Sequence, residues 1–255
     1  MKPRPRPAAI EAGRSAIQSA AMRPEVEDLA QWYQSRTGAR AALALASAVA
    51  PLIHRGTTTR LLALGYCAPL LNGFDLASVE RLILACPAEQ GGLAWPRAAP
   101  NLAAEIDVLA MPFQDALFDE ALVVHALEHA APPRRLLREL WRVLAPGGSI
   151  VIVTPNRAGL WVHMETTPFG HGAPFGKNQI CGMLEDALFE ITHRQTLLAV
   201  PPLPAVAWLD RPAMRLLPKM GGLHIIRATK REGPMPVPVG RARKARRLLA
   251  PRGAA

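Results

Sequence analysis

The chain reads as an α/β domain, with a mostly parallel sheet and helices on both faces. Three observations predict this. Short apolar runs of strand length alternate with helix-period segments along most of the 255 residues. Hydrophobic residues make up 50% of the chain, enough for one large core. Residues 111–156 spell out a complete strand–helix–strand unit, MPFQDALFDEALVVHALEHAAPPRRLLRELWRVLAPGGSIVIVTPN.

Within that unit, residues 111–119 are a turn-rich entry with Pro112 and two acids. Residues 120–125, centred on ALVV, form a short strand. Residues 132–144 form an amphipathic helix. Leu136, Leu137, Leu140, Val143 and Leu144 recur at helical spacing, and Arg134, Arg135, Arg138 and Arg142 fall mostly on the other face. Ala145, Pro146, Gly147 and Gly148 stop it, because proline cannot continue a helix and glycine accepts a left-handed turn. Residues 149–154 are then a buried strand. Strand, helix and strand joined this way make a right-handed parallel unit, with ligands expected at the carboxyl ends of the strands.

The other elements follow in order. Residues 1–23 are a Pro/Arg-rich arm expected to be disordered. Residues 24–34 read as a helix, with Pro24 and acids in its first turn. Residues 39–53 read as a second, Ala-rich helix, too short to span a bilayer and broken at Pro51. Strands are expected over 60–64, 79–85 and 101–106. After the central unit come a helix at 175–187, a strand at 189–198, a proline-rich insert at 201–218 and a last strand at 221–229. The expected organisation is the arm 1–23, one domain at 24–230 and a basic, disordered tail at 231–255.

The net charge of +10 sits mainly at the two ends. The run RARKARR at 241–247 implies weak, salt-sensitive attraction to polyanions and says little about a site. Cys67, Cys86 and Cys181 form no CxxC pair, which argues against a zinc knuckle or a disulfide framework. The first residues lack the apolar core of a signal peptide. A cytoplasmic protein without a membrane span is the expectation.

Residues 111–156 resemble the second half of a class I S-adenosylmethionine (SAM)-dependent methyltransferase domain of the type 11 group. The shared pattern is a Met/Leu-Pro-Phe turn, an acidic bend, a strand ending near Leu-Glu-His, a helix with Arg-Val-Leu, then Pro-Gly-Gly and a strand. The resemblance implies a Rossmann-like fold, SAM as cofactor, and methyl transfer to an O or N nucleophile.

The first half departs from that family. Where the family places an acid and Gly-x-Gly-x-Gly after the first strand, this chain has Ala63, Gly65, Cys67 and Pro69. Proline removes one backbone donor. Where the family closes the next strand with a ribose-binding acid, Ala85 and Cys86 stand, with Glu89 a few residues on. Gly65 and Tyr66 remain as cofactor-binding candidates, with the tyrosine ring available for stacking. The resemblance adds Asp107, at the position of an adenine-facing acid, and His125, at the end of its strand.

His125, Glu128 and His129 match the letters of an inverted zinc-protease motif. That motif needs both histidines on one helix, and the strand before His125 and Pro132–Pro133 argue against one. No metal is expected, and Glu128 and His129 read as loop-bonding residues. The segment 156–175 carries His163, Glu165 and His171 among glycines and aromatics. It reads as a lid over the crevice, and those three residues are the candidate general bases. Two other classes remain open: a non-catalytic methyltransferase-like binding protein, favoured by the altered glycine loop, and a nucleic-acid binder using the tail.

Overall fold

The structure is a computed structural model and describes residues 24–72, 74–199 and 221–231. The expected arm, the whole proline-rich insert and nearly all of the basic tail lie outside the described residues. The helices are α1 (Val26–Gln34), α2 (Arg36–Val49), α3 (Ala68–Leu71), α4 (Pro133–Val143) and α5 (Lys177–Asp186). The strands are β1 (Gly56–Gly65), β2 (Val79–Pro87), β3 (Ala103–Ile106), β4 (Phe118–Val124), β5 (Leu144–Pro155), β6 (Phe189–Leu197) and β7 (Leu223–Lys230). They form a 7-stranded sheet in the order β3-β2-β1-β4-β5-β7-β6. The pairs from β3 through β5 are parallel, and β7 runs antiparallel to both β5 and β6.

The central strands are buried on both faces and read as near-continuous apolar runs, successive side chains pointing to opposite faces. On one face Leu61, Ala63, Leu82, Leu84, Leu122 and Val151 pack with Tyr33, Leu45 and Val49 of α1 and α2. On the other, Leu62, Leu64, Val123 and Ile152 pack with Leu136, Leu140 and Leu184 of α4 and α5. The crossovers on the first side are slight: β1 reaches β2 through the short α3 and a 3-10 turn, and no α-helix joins β2 to β3. The N-terminal helices supply the missing cover. Ser35 separates α1 from α2 and caps the second, accepting a bond from Gly38 N at 3.1 Å.

Two expectations need correction. The strand after the central helix begins at Leu144, and the Pro146–Gly148 turn lies inside it. Leu144 already pairs with Phe118, and a register shift between Phe118 and Glu120 absorbs the turn before Ser149 joins Glu120. The helix expected from residue 175 starts at Lys177, because Phe175 bridges to Asn156 as extended chain.

At the amino ends of β1 and β4, Asp119 accepts the Arg60 backbone N–H at 2.8 Å and two guanidinium bonds at 3.0 Å. The bond from Arg60 holds the Asp119 carboxyl below the usual carboxylate range. A depressed carboxyl favours the folded state above its unfolded pKa, and that contribution is lost as pH falls through the folded value. Solvent screening keeps the effect near 1 kcal/mol. Asp119→Asn is therefore expected to lower stability by about 1 kcal/mol at neutral pH. The difference from wild type should close as the medium becomes acidic, as measured by urea unfolding across pH.

Candidate active site

The carboxyl ends of β1, β2 and β4 lie under α1. The Val26 N–H at the start of the helix donates to Gln90 O beyond β2 at 2.9 Å. Val26, Leu29 and Tyr33 form its buried stripe. At its end, Tyr33 stacks on Tyr66, with centroids 5.7 Å apart and planes at 28°. The Tyr33 hydroxyl lies 2.9 Å from His125 Nε2. Trp32 meets Trp161 and Phe169 edge to face, at 6.4 and 5.7 Å, and Phe169 lies 4.8 Å from the His125 ring. Helix α1 and the segment after β5 thus make one aromatic roof.

Gly65 ends β1 with φ +86°, and a Cβ there would stand 2.0 Å from Val124 O. Only glycine fits, and the reason is the neighbouring strand. The Tyr66 N–H then donates to Val124 O at 2.9 Å. Cys67 turns inward: its Sγ lies 3.3 Å from Leu64 O and 3.5 Å from Leu122 O. Burial pushes its thiol well up. Ala63 is fully buried in the core, so it presents nothing to a ligand.

His125 follows β4 with φ +54°, an uncommon conformation for a non-glycine residue. It is 1% exposed. Its Nδ1 is 3.5 Å from Glu128 Oε1, a charge contact too long for a full hydrogen bond. Beyond that contact neither Glu128 oxygen has a hydrogen-bond donor, although the side chain is buried. Burial pushes the Glu128 carboxyl up, but His125 and the charge of His129 outweigh it and hold the group below its ordinary range. Tyr33 is pushed well up, first by burial and then by Glu128. The Glu128 backbone oxygen accepts Ala173 N at 2.8 Å, tying this corner to the segment after β5. Gly172, at φ +78°, permits that approach, since a Cβ would lie 2.8 Å from the same oxygen.

The other expected site residues separate. Asp107 is exposed and accepts from Leu109 N at 2.8 Å, so its carboxylate serves its own turn. Glu165 and His171 line an open cleft of about 490 Å³ together with Asp28, Gln31, Trp32 and Thr167. The His171 Nε2 lies 3.0 Å from Glu165 O. His163 is exposed and does not line this cleft. His125 and His129 do not share a helix: His129 ends a 3-10 turn that begins at Leu127. Among the described residues no group of His, Cys, Asp and Glu is placed to hold a metal. Sequence reading missed Tyr33 and Trp32. The signal was present in PEVEDLAQWYQ, where Leu29 and Tyr33 stand one helical turn apart.

A methyltransferase-domain family model matches residues 87–152. The demethylmenaquinone methyltransferase of Thermus thermophilus is 43% identical over 49 residues, 19% of this chain and 22% of that protein. The ajmaline N-methyltransferase of Rauvolfia serpentina is 36% identical over 62 residues, 24% of this chain and 19% of that protein. These matches span about a fifth of the relatives' length. A solved SAM-dependent methyltransferase of Thermotoga maritima, described as a possible histamine N-methyltransferase, covers 81% of this chain and 96% of its own. It superposes with a TM-score of 0.59 at 19% identity. The [4+2]-cyclase SpnF covers 74% of this chain and 81% of its own, with a TM-score of 0.52 at 21% identity. The chain has the fold of class I SAM-dependent methyltransferases, and its sequence over residues 87–152 matches the methyltransferase-domain model.

The close approach of Gly65 to β4 yields a direct test. Gly65→Ala forces both a left-handed alanine and a backbone collision. It is expected to cost about 3 kcal/mol or more in urea unfolding, whether or not a ligand is added.

Proposed function

We propose that the protein transfers the methyl group of SAM to an O or N nucleophile. The observation that carries this reading is the sheet order with its reversed β7, whose β1, β2 and β4 ends meet beneath one aromatic roof. In doubly wound sheets ligands lie outside the carboxyl ends of the strands. The methyltransferase-domain match from the end of β2 into β5 supports the same reading, and relatives named as N-methyltransferases favour a nitrogen among the acceptors.

The residues present fit SAM in part. Tyr66 is half-buried at the end of β1 and offers a ring for adenine. Glu89 lies exposed just beyond β2, where a ribose hydroxyl would find an acceptor, and Asp107, exposed beyond β3, would have only the oxygen its own turn does not use. At the methionine end the loop is poorer: Cys67 points into the core and Pro69 sits in α3 without an N–H. SAM, when bound, supplies an electrophilic methyl group. The chain's own residues then hold and orient: α1 and Phe169 exclude water, and the cleft lined by Trp32, Glu165 and His171 gives the acceptor a way in. Positioning of this kind supplies much of the rate in such transfers.

The reading sets an affinity. Hydrogen bonds to charged groups contribute about 1.5–3 kcal/mol each. A chain lacking the ribose acid and one loop donor should bind SAM and its demethylated product S-adenosylhomocysteine at micromolar to sub-millimolar levels, about −5 to −8 kcal/mol. Ala63→Asp alone is not expected to tighten this, because the position is buried in the core. Isothermal calorimetry decides. Absence of heat and of any thermal shift at millimolar ligand would favour the non-catalytic binding protein. Nanomolar binding would show that the lost acid and glycines do not matter.

A further inference from the structure

Resting on the methyl-transfer reading, the geometry points to a proton relay built from Tyr33, His125 and Glu128, with Tyr33 facing the acceptor. Tyr33 Oη lies 2.9 Å from His125 Nε2, and His125 Nδ1 lies 3.5 Å from Glu128 Oε1. A hydroxyl, an imidazole and a carboxylate in this order form the arrangement by which buried sites activate a nucleophile. Here the hydroxyl comes from the roof helix, the imidazole from the end of β4 and the carboxylate from the turn after it.

A histidine bonded inside a core is often only structural. Three features oppose that reading here. A structural buried carboxylate is normally satisfied by donors, yet beyond the long His125 contact neither Glu128 oxygen has one. Burial pushes the Glu128 carboxyl up, but the contact with His125 and the charge of His129 outweigh it and hold the group below its ordinary range, so a carboxylate faces the imidazole. His125 itself holds a left-handed backbone, a conformation that concentrates at working sites. The other titratable groups packed here are Tyr66 and Cys67 from the turn after β1, which face Tyr33, and His129, which faces Glu128.

The proton balance is simple. The acceptor loses one proton as it gains the methyl group. That proton passes to Tyr33 Oη while the Tyr33 proton moves to His125 Nε2. The imidazolium so formed is matched by the ionised Glu128, and the proton returns to solvent when the roof opens. His125 and Glu128 act through Tyr33 and are positioning residues. Glu165 and His171, on the outer cleft, are then left to receive the acceptor and need not act as bases.

The relay requires a free lone pair on His125 Nε2 and a proton on Nδ1. Nitrogen-15 NMR of labelled full-length protein reads this tautomer directly, without knowledge of the acceptor. The expected result is Nδ1–H in wild type, with the preference lost in Glu128→Gln. Carbethoxylation by diethyl pyrocarbonate, mapped by mass spectrometry, adds a readout that a purely structural histidine would not move. His125 should label in the folded protein, more slowly than exposed His163, and S-adenosylhomocysteine should protect it. Tyr33→Phe should speed labelling about fivefold by removing one hydrogen bond. An Nε2–H tautomer, or labelling of His125 only at the rate of global unfolding, would overturn the relay. Failure of S-adenosylhomocysteine to bind, with the tautomer as expected, would remove the methyl-transfer reading and leave the basic nitrogen standing.

Discussion

The bond between the Tyr33 hydroxyl and His125 Nε2 fixes the roof of this molecule to its sheet. It joins the last turn of an N-terminal helix to the end of a central strand, across 92 residues of sequence. Stacking of Tyr33 on Tyr66 and the edge contacts of Trp32 with Trp161 and Phe169 add area around it. Without this group of contacts, α1 would keep its Val26–Gln90 bond, its buried Val26 and Leu29 and its junction with α2, but nothing that ties its last turn to the ends of β1 and β4.

The same helix matters because the sheet is thinly covered on that side. The connections from β1 to β3 contain only the short α3 and 3-10 or irregular chain. The apolar face of Leu61, Ala63, Leu82 and Leu84 therefore needs a cover from elsewhere, and α1 and α2 provide it. One element thus satisfies the core and forms the wall of the site. On the opposite face α4 and α5 follow the ordinary crossover plan and serve the core alone.

What could be read from sequence follows where physics is local. The strand–helix–strand unit was legible because Leu136, Leu140 and Val143 repeat at helical spacing and ALVV and IVIV are buried runs. The shift of β5 to begin at Leu144 was not, because it depends on pairing with Phe118. Gly65 was legible as a special position, but its reason, the Val124 carbonyl, belongs to a strand far along the chain. His125 was legible through its place at a strand end. Its partners were hidden, since Tyr33 arrives from another helix and no spacing rule links them. The lid residues show the converse. Trp161 and Phe169 look like a mobile loop's ornaments in sequence and are buried at 3% and 2% exposure in the fold.

The central claim is that α1 roofs the ligand crevice through Tyr33. Hydrogen exchange measured by mass spectrometry, with and without saturating S-adenosylhomocysteine, tests it most directly. The account predicts added protection across residues 26–34 and 66–72 when ligand is bound, and loss of that added protection over 26–34 in Tyr33→Ala. Ligand demonstrably bound with no change in exchange over 26–34 would contradict it.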